Sequence, residues 1–200
     1  MRVHRIIKRT AVDGPGVRFC VWVQGCTRHC RGCFNPDTWD PDGGYDASVE
    51  EIARKIAATD GIEGITLLGG EPFEQAEECA QLCEWAHGHG LSVVAFSGCT
   101  LEELQAGGDA RRRLLAAVDL LMDGAYVEEL QDFSRPWIGS SNQRYHFLTD
   151  RYSMADVENG RRGVEVRLRK SGEIVVSGMP DSEMQRWLRD YRRTVKMKEE

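Results

Sequence analysis

No stretch of the 200-residue sequence approaches the ~18 apolar residues that a membrane-spanning helix needs, so no membrane association is expected. No long run of Lys or Arg occurs and the net charge is −6, which argues against broad nucleic-acid binding. The one short basic cluster, Arg111-Arg112-Arg113, reads as a solvated helix face. The opening residues, MRVHRIIKRTAVDGPG, carry charge but no apolar h-region. They do not read as a secretory signal, and a cytoplasmic location is expected. Internal repeats and low-complexity segments are absent too. What remains is ordinary for a globular chain, with 41% hydrophobic and 29% charged residues. The length suits one domain with a substantial core.

Cysteine, in contrast, is plentiful and odd in number, at seven. In a reducing compartment, clustered cysteines point to a metal or to catalysis before disulfides. Three of them fall in Cys26-Thr27-Arg28-His29-Cys30-Arg31-Gly32-Cys33, a C-x3-C-x2-C loop. Structural zinc takes four ligands, usually as two separated pairs. His29 adjoins Cys30 and is poorly placed to be a fourth. Cubane clusters usually take four cysteines, so three leave one iron without a protein ligand, the open position that a catalytic metal needs. Zinc and plain reduced cysteines stay as competing readings; a site-differentiated iron–sulfur cluster is favoured. Cys20, Cys79, Cys83 and Cys99 read as small buried hydrophobes. His87 and His89 flank Gly88 at a helix end, where they suit the dipole better than a metal.

Alternation of Val17, Phe19, Val21 and Val23 predicts a mostly buried strand over 17–24. Capping boxes at Ser48–Glu51 and Thr100–Glu103 predict helix starts, the first helix covering about 49–58. Strands are expected at 64–68, 91–96 and 118–122, and helices at 74–87 and 110–118. Strands at 164–168 and 173–176, joined through Arg169–Gly172, predict a hairpin. An amphipathic helix is expected over 181–192. The alternation of strand and helix predicts an α/β fold with a parallel sheet, whose working residues gather at the C-terminal strand ends. The cysteine loop, Gly69-Gly70-Glu71-Pro72, Ser97-Gly98 and Asp123-Gly124 each follow a predicted strand, which puts four candidate segments on one edge.

The cysteine spacing resembles the signature of the radical S-adenosylmethionine (SAM) superfamily. Asp13-Gly14-Pro15-Gly16-Val17-Arg18, Gln24-Gly25-Cys26, Cys33-Phe34-Asn35 and Trp39 resemble the activating enzymes of glycyl radical enzymes, above all the activases of anaerobic (class III) ribonucleoside-triphosphate reductase. Ile138-Gly139-Ser140-Ser141-Asn142-Gln143-Arg144 resembles a Gly-Ser-x-Asn-Gln-Arg segment late in those activases. The likeness runs from about residue 4 to 146. It departs at Gly32, where many superfamily members carry an aromatic residue, and at Ser97-Gly98-Cys99-Thr100, where the activases commonly read Thr-Gly-Tyr-Thr.

The resemblance implies an incomplete (β/α) barrel with a C-terminal β-hairpin and helix. Residues 1–150 would form the radical SAM core, and 151–200 an extension packed on the same domain. It implies a [4Fe–4S] cluster on Cys26, Cys30 and Cys33. Its open iron would chelate SAM, which is reductively cleaved to a 5′-deoxyadenosyl radical. The Gly69-Gly70-Glu71-Pro72 motif suits a plain turn and a close ligand approach equally well; in the family it contacts the SAM amino group. Ser97 is a candidate hydrogen-bond partner of SAM. Asp123 would orient SAM or bind a cation, with a turn-stabilising Asp-Gly as the competing reading, and Arg144, beside Asn142, would pair with the SAM carboxylate, with a surface arginine as the competing reading. Arg18 matches the family without an assigned role. The implied partners are a glycyl radical enzyme, such as anaerobic ribonucleotide reductase, and a flavodoxin- or ferredoxin-type electron donor. A radical SAM enzyme acting on a small molecule or peptide, as in 7-carboxy-7-deazaguanine synthesis, is the second reading. A cluster- or zinc-binding protein without turnover is the third.

Overall fold

The computed structural model describes residues 1–160, 163–168 and 174–179, with 183, 184, 186, 187, 190 and 191. The elements begin with β1 (Arg2–Thr10), β2 (Arg18–Val23), β3 (Tyr45–Asp46), α1 (Val49–Ala57), β4 (Gly64–Gly69) and α2 (Ala76–Gly88). They continue with β5 (Ser92–Phe96), α3 (Leu101–Gln105), α4 (Asp109–Ala116), β6 (Leu120–Asp123) and β7 (Arg144–Phe147). Last come α5 (Met154–Glu158), β8 (Val164–Leu168) and β9 (Ile174–Gly178). The sheet order is β3-β1-β2-β4-β5-β6-β7. Its centre, β2-β4-β5-β6, is parallel as expected. Both flanks are antiparallel, with β1 against β2 and β7 against β6. The fold is therefore mixed α/β with a mostly parallel central sheet.

Neither β1 nor β7 is visible in the hydrophobic pattern. The β1 sequence RVHRIIKRT is charged because its polar stems serve as packing material. Arg5 lies over the Trp22 ring at 3.7 Å. The β7 sequence RYHF holds its place through cross-strand pairing, Asp123 opposite Arg144.

All six β2 residues are buried, because both faces of the sheet are covered. Phe19, Val21 and Val23 meet Ile52 and Ile56 of α1, Leu82 of α2, Leu104 of α3 and Leu114 of α4 in the main core. Cys79 and Cys83 sit in that core and Cys99 at its margin, as small buried hydrophobes. Both predicted capping boxes form. Ser48 Oγ accepts from Glu51 N at 3.1 Å while Ser48 N donates to the Glu51 carboxylate at 2.9 Å. Thr100 and Glu103 reciprocate in the same way. The arginine cluster is less free than a solvated face would be. Arg113 pairs with Glu77 at 2.6 Å and Glu84 at 2.7 Å, tying α4 to α2, and Arg111 donates to the Phe73 carbonyl at 3.2 Å.

On the opposite face, Cys20 and Trp22 point away from helices α1–α4 and pack with Ile7, Leu68 and Val175. A neighbouring cluster joins Val94, Leu120 and Met122 to Trp137, Ile138 and Val157. The predicted hairpin is present as a separate two-stranded sheet, β8 with β9. Its turn at 169–172, and most of the helix expected over 181–192, lie outside the described residues. Among the described residues no helix is long and apolar enough to cross a membrane.

Arg18 has a structural place. Fully buried, it donates to Thr66 Oγ1 at 2.8 Å, Ser92 Oγ at 3.0 Å, Tyr152 Oη at 2.9 Å and the Ser92 carbonyl at 3.1 Å. A buried guanidinium is tolerable only when so many acceptors replace water. Here it knits the N-terminal ends of β2, β4 and β5 to the segment before α5.

Candidate active site

The chain leaves β2 through Gln24, whose buried amide donates to the carbonyls of Asp37 (3.1 Å) and Asp40 (2.7 Å). Gly25, at φ +94°, then turns the backbone, donating to Thr38 O at 2.8 Å, and Cys26 N donates to Trp39 O at 3.2 Å. The loop is thus clasped at its base before the cysteines begin. Within it, Cys33 N donates to Cys30 O at 3.0 Å, and the His29 ring stacks on Trp39 with centroids 4.7 Å apart. His29 therefore serves as packing for the loop.

All three loop cysteines are free, half-buried thiols. Each lines one cavity of about 190 Å³ on the sheet face opposite α1–α4, at the C-terminal strand ends. Burial pushes the Cys26 thiol up, while the backbone N–H groups of Arg28 and His29 pull it down. Asn35 N lies 3.4 Å from Cys33 Sγ. Amides aimed at sulfur in this way stabilise a thiolate, the form that binds metal.

Gly69 and Gly70 share the cavity. Gly69 sits at φ +105°, and a Cβ there would come within 2.8 Å of the Val23 carbonyl oxygen. A Cβ at Gly70 would overlap the Gly25 carbonyl oxygen. The glycine pair thus lets the β4 end press against the root of the cysteine loop, with Gly70 N donating to Val23 O and Glu71 N to Gly25 O, both at 2.8 Å. Glu71 is buried, and its carboxylate accepts from Phe73 N (3.0 Å), Ser97 Oγ (3.0 Å) and Gly98 N (2.8 Å). Burial raises its pKa, opposed by those same donors. Pro72 is buried and opens a 3₁₀ turn, Pro72–Gln75, that leads into α2. Ser97 lines the cavity, though its hydroxyl is spent on Glu71 and on the Cys99 amide. Arg28, inside the cysteine loop, lies across Gly98 and pairs with Glu103 at 2.7 Å. Three of the four expected segments are therefore hydrogen-bonded into one unit.

Asp123, Asn142 and Arg144 stand outside the cavity lining. Asp123 is buried and accepts from Leu101 N (2.6 Å) and Arg144 Nη2 (2.7 Å), with His146 Nε2 at 3.0 Å. Burial pushes Asp123 up, but Arg144, the Leu101 amide and His146 outweigh it and hold the carboxyl below its ordinary value. Arg144 also pairs with Glu102 at 2.7 Å, and Asn142 Nδ2 donates to Ala125 O at 2.8 Å. The residue of that segment which does reach the cavity is Gln143. Its Oε1 accepts from Gly139 N (2.9 Å) and Ser140 N (3.1 Å), and its Nε2 donates to Gly124 O at 2.9 Å.

Sequence reasoning also missed Asp13, Trp22, Phe96 and Trp137 as wall residues. Asp13 carried a signal, since it heads the Asp13-Gly14-Pro15-Gly16 turn. It is buried, its Oδ1 accepts from Gly178 N at 2.9 Å, and burial raises its pKa from 3.8 to about 6. Of the nearby charges, Arg5 and Arg167 oppose that rise and Glu165 adds to it.

Three free thiols on one cavity are the donor type that an iron–sulfur cluster takes. No three His, Cys, Asp or Glu side chains among the described residues converge as one metal ion requires. A cubane attaches its thiolates to separate irons, which suits three free thiols spread along one loop.

Comparison with known proteins agrees with this geometry. Residues 12–146 match the family described as a 4Fe-4S single cluster domain. The anaerobic ribonucleoside-triphosphate reductase-activating protein of Salmonella typhi is 32% identical over 156 residues, covering 74% of this chain and 99% of that protein. Its counterpart from Enterobacteria phage T4 is 31% identical, with 75% and 96% covered. The pyruvate formate-lyase-activating enzyme of Listeria monocytogenes is 33% identical over 131 residues, 60% of this chain and 51% of that enzyme. Three cysteines on one cavity, the glycine pair beside them and these relatives place the chain in the radical SAM activating-enzyme family, with the anaerobic ribonucleoside-triphosphate reductase-activating proteins.

Proposed function

We propose that this enzyme installs a glycyl radical on a partner enzyme, with anaerobic ribonucleoside-triphosphate reductase the first candidate, as the names of its relatives suggest. The observation that carries the reading is the convergence of Cys26, Cys30 and Cys33 with Gly69, Gly70 and Glu71 on a single cavity. In this reading the three thiolates hold the [4Fe–4S] cluster, and the turn Gly69-Gly70-Glu71-Pro72, with Ser97, seats SAM. When bound, the cluster and SAM together supply reductive C–S cleavage to a 5′-deoxyadenosyl radical.

The chain's own residues position and shield. Gly69 and Gly70 remove side-chain bulk where a ligand must approach backbone. Glu71 locks that turn to the Ser97-Gly98 turn. Trp22, Phe96 and Trp137 give the cavity an apolar wall. Asp123, Asn142 and Arg144 act from behind the wall, by fixing Gly124 and Gln143.

Helices α1–α4 on one face and a cavity on the other support an incomplete (β/α) barrel. Tyr152 on Arg18, and Gly178 on Asp13, support residues 151–200 as an extension of the same domain as 1–150. The electron would come from a flavodoxin- or ferredoxin-type protein, and the setting would be the cytoplasm. The test is anaerobic incubation of the reduced, cluster-loaded enzyme with SAM and the candidate reductase, followed by EPR. A glycyl radical on the reductase is the expected result. SAM consumption with an EPR-silent reductase would move the assignment to the small-molecule or peptide reading.

A further inference from the structure

The β8–β9 hairpin lies beyond the part of the chain matched to the cluster-domain family, which ends at residue 146. The Salmonella typhi relative is covered over 99% of its length by only 74% of this chain, so about a quarter of the chain has no counterpart there. The hairpin nevertheless sits on the candidate active site. Gly178 and Met179 line the same cavity as the three cysteines. Val175 packs over Cys20 and Trp22, on the cavity-side face of the sheet.

Among the described residues, the hairpin is attached by the buried side of β9 and by polar contacts, not by strand pairing with the main sheet, and an isolated two-stranded ribbon is marginally stable by itself. Its outer side is poorly covered, with Val166 53% and Leu168 75% exposed. Polar anchors hold it at both strands: Gly178 N donates to Asp13 Oδ1 at 2.9 Å, Arg5 Nη2 to Val176 O at 3.2 Å, Ala11 N to Glu165 Oε1 at 3.0 Å and Arg167 Nη2 to Arg9 O at the end of β1. Gly178 can make its bond only as glycine, at φ +89°, since a Cβ would overlap the Gly163 carbonyl and press on Val12. Closure also buries Ser177 Oγ and Trp22 Nε1 without hydrogen-bond partners among the described residues, a cost that opening relieves.

We infer that β8–β9 is a latched cover over the active-site cavity, held at Asp13–Gly178, that swings away to admit a polypeptide segment. The polypeptide part rests on the activase reading; the opening itself does not. Local opening of a weakly held unit exposes what lies beneath it while the rest stays folded. Cys20 lies under the cover, whereas Cys79 and Cys83, equally buried, lie under the helices.

The test labels the cluster-loaded protein anaerobically with N-ethylmaleimide and follows each cysteine by peptide mapping. It requires no turnover, so its failure is distinct from failure of the activase assignment. The expected result is labelling of Cys20 at least ~10-fold faster than Cys79 and Cys83. Gly178→Ala, or Val175→Ala as the milder variant, should accelerate Cys20 alone by several-fold. Equal rates at the three cysteines in the wild type, or a Cys20 rate indifferent to both substitutions, overturns the cover.

Discussion

Gly70 and Gly25 lie back to back: a Cβ at position 70 would overlap the Gly25 carbonyl oxygen, to which Glu71 N donates at 2.8 Å. The root of the cysteine loop and the end of β4 are thereby a single piece of backbone. Gly70→Ala should force them apart, at about 1–3 kcal/mol, the usual range for overpacking. Iron and sulfide per chain after reconstitution should fall with it. Gly88→Ala is the control, since nothing lies within 4 Å of a Cβ there. At the end of α2 it should be neutral or stabilising by up to ~1 kcal/mol. Denaturant midpoints and iron analysis of both variants check the pair.

Gln143 closes the segment 139–143 on itself through two hydrogen bonds, from Gly139 N and Ser140 N, and ties it to Gly124 O through a third. Gln143→Ala should cost about 2–3 kcal/mol, near 1 kcal/mol per bond, and weaken SAM binding measured by equilibrium dialysis. Gln143→Glu keeps the two acceptor contacts but sets a carboxylate against the Gly124 carbonyl, and should fall between the two.

Arg144 pairs with Asp123 and Glu102 rather than facing the cavity. Arg144→Gln should lower the denaturant midpoint only modestly, because the guanidinium is half-exposed, and leave SAM affinity within about threefold of wild type. A loss beyond about tenfold with the fold intact would place Arg144 in direct contact with SAM. Because the Asp123 carboxyl is held below its ordinary value, the pair's contribution is fully present above that ordinary value and is lost as pH falls from there through the lowered one.

Asp13 has the opposite sign. Its carboxyl is raised from 3.8 to about 6 by burial. Below pH ~4 it is neutral in folded and unfolded chains alike. Between ~4 and ~6 the folded chain keeps a proton that the unfolded chain has released, so stability falls as pH rises, and above ~6 the loss is complete. Asp13→Asn removes this dependence. From pH 5 to 7.5 the stability of Asp13→Asn relative to wild type should improve by about 1 kcal/mol, read from urea midpoints at each pH. A relative stability that declines over that interval contradicts the assignment.

Much of the site was legible because its parts are local. C-x3-C-x2-C and Gly69-Gly70 are contiguous, and periodicity placed each at a strand end. The capping boxes at Ser48 and Thr100 are equally local and form as read. What escaped depends on distant partners. β1 reads as charged until Arg5 is seen on Trp22, and β7 exists because Asp123 stands opposite Arg144. Family position alone does not say which way a side chain turns, and Asp123 and Arg144 pair with each other outside the cavity lining. Gln143, their neighbour, faces the cavity instead. Asp13 reads only as part of a turn motif, since its hydrogen-bond partner Gly178 lies 165 residues away.

The central claim is that Cys26, Cys30 and Cys33 hold a cluster that cleaves SAM. Its most direct test is 5′-deoxyadenosine, quantified after anaerobic reconstitution with iron and sulfide and addition of dithionite and SAM, with Cys30→Ala alongside. The account predicts product from the wild type and none from the variant. A fully loaded wild-type cluster that yields no 5′-deoxyadenosine, even with the candidate reductase present, would contradict it and leave the cysteine loop as a structural or sensory metal site.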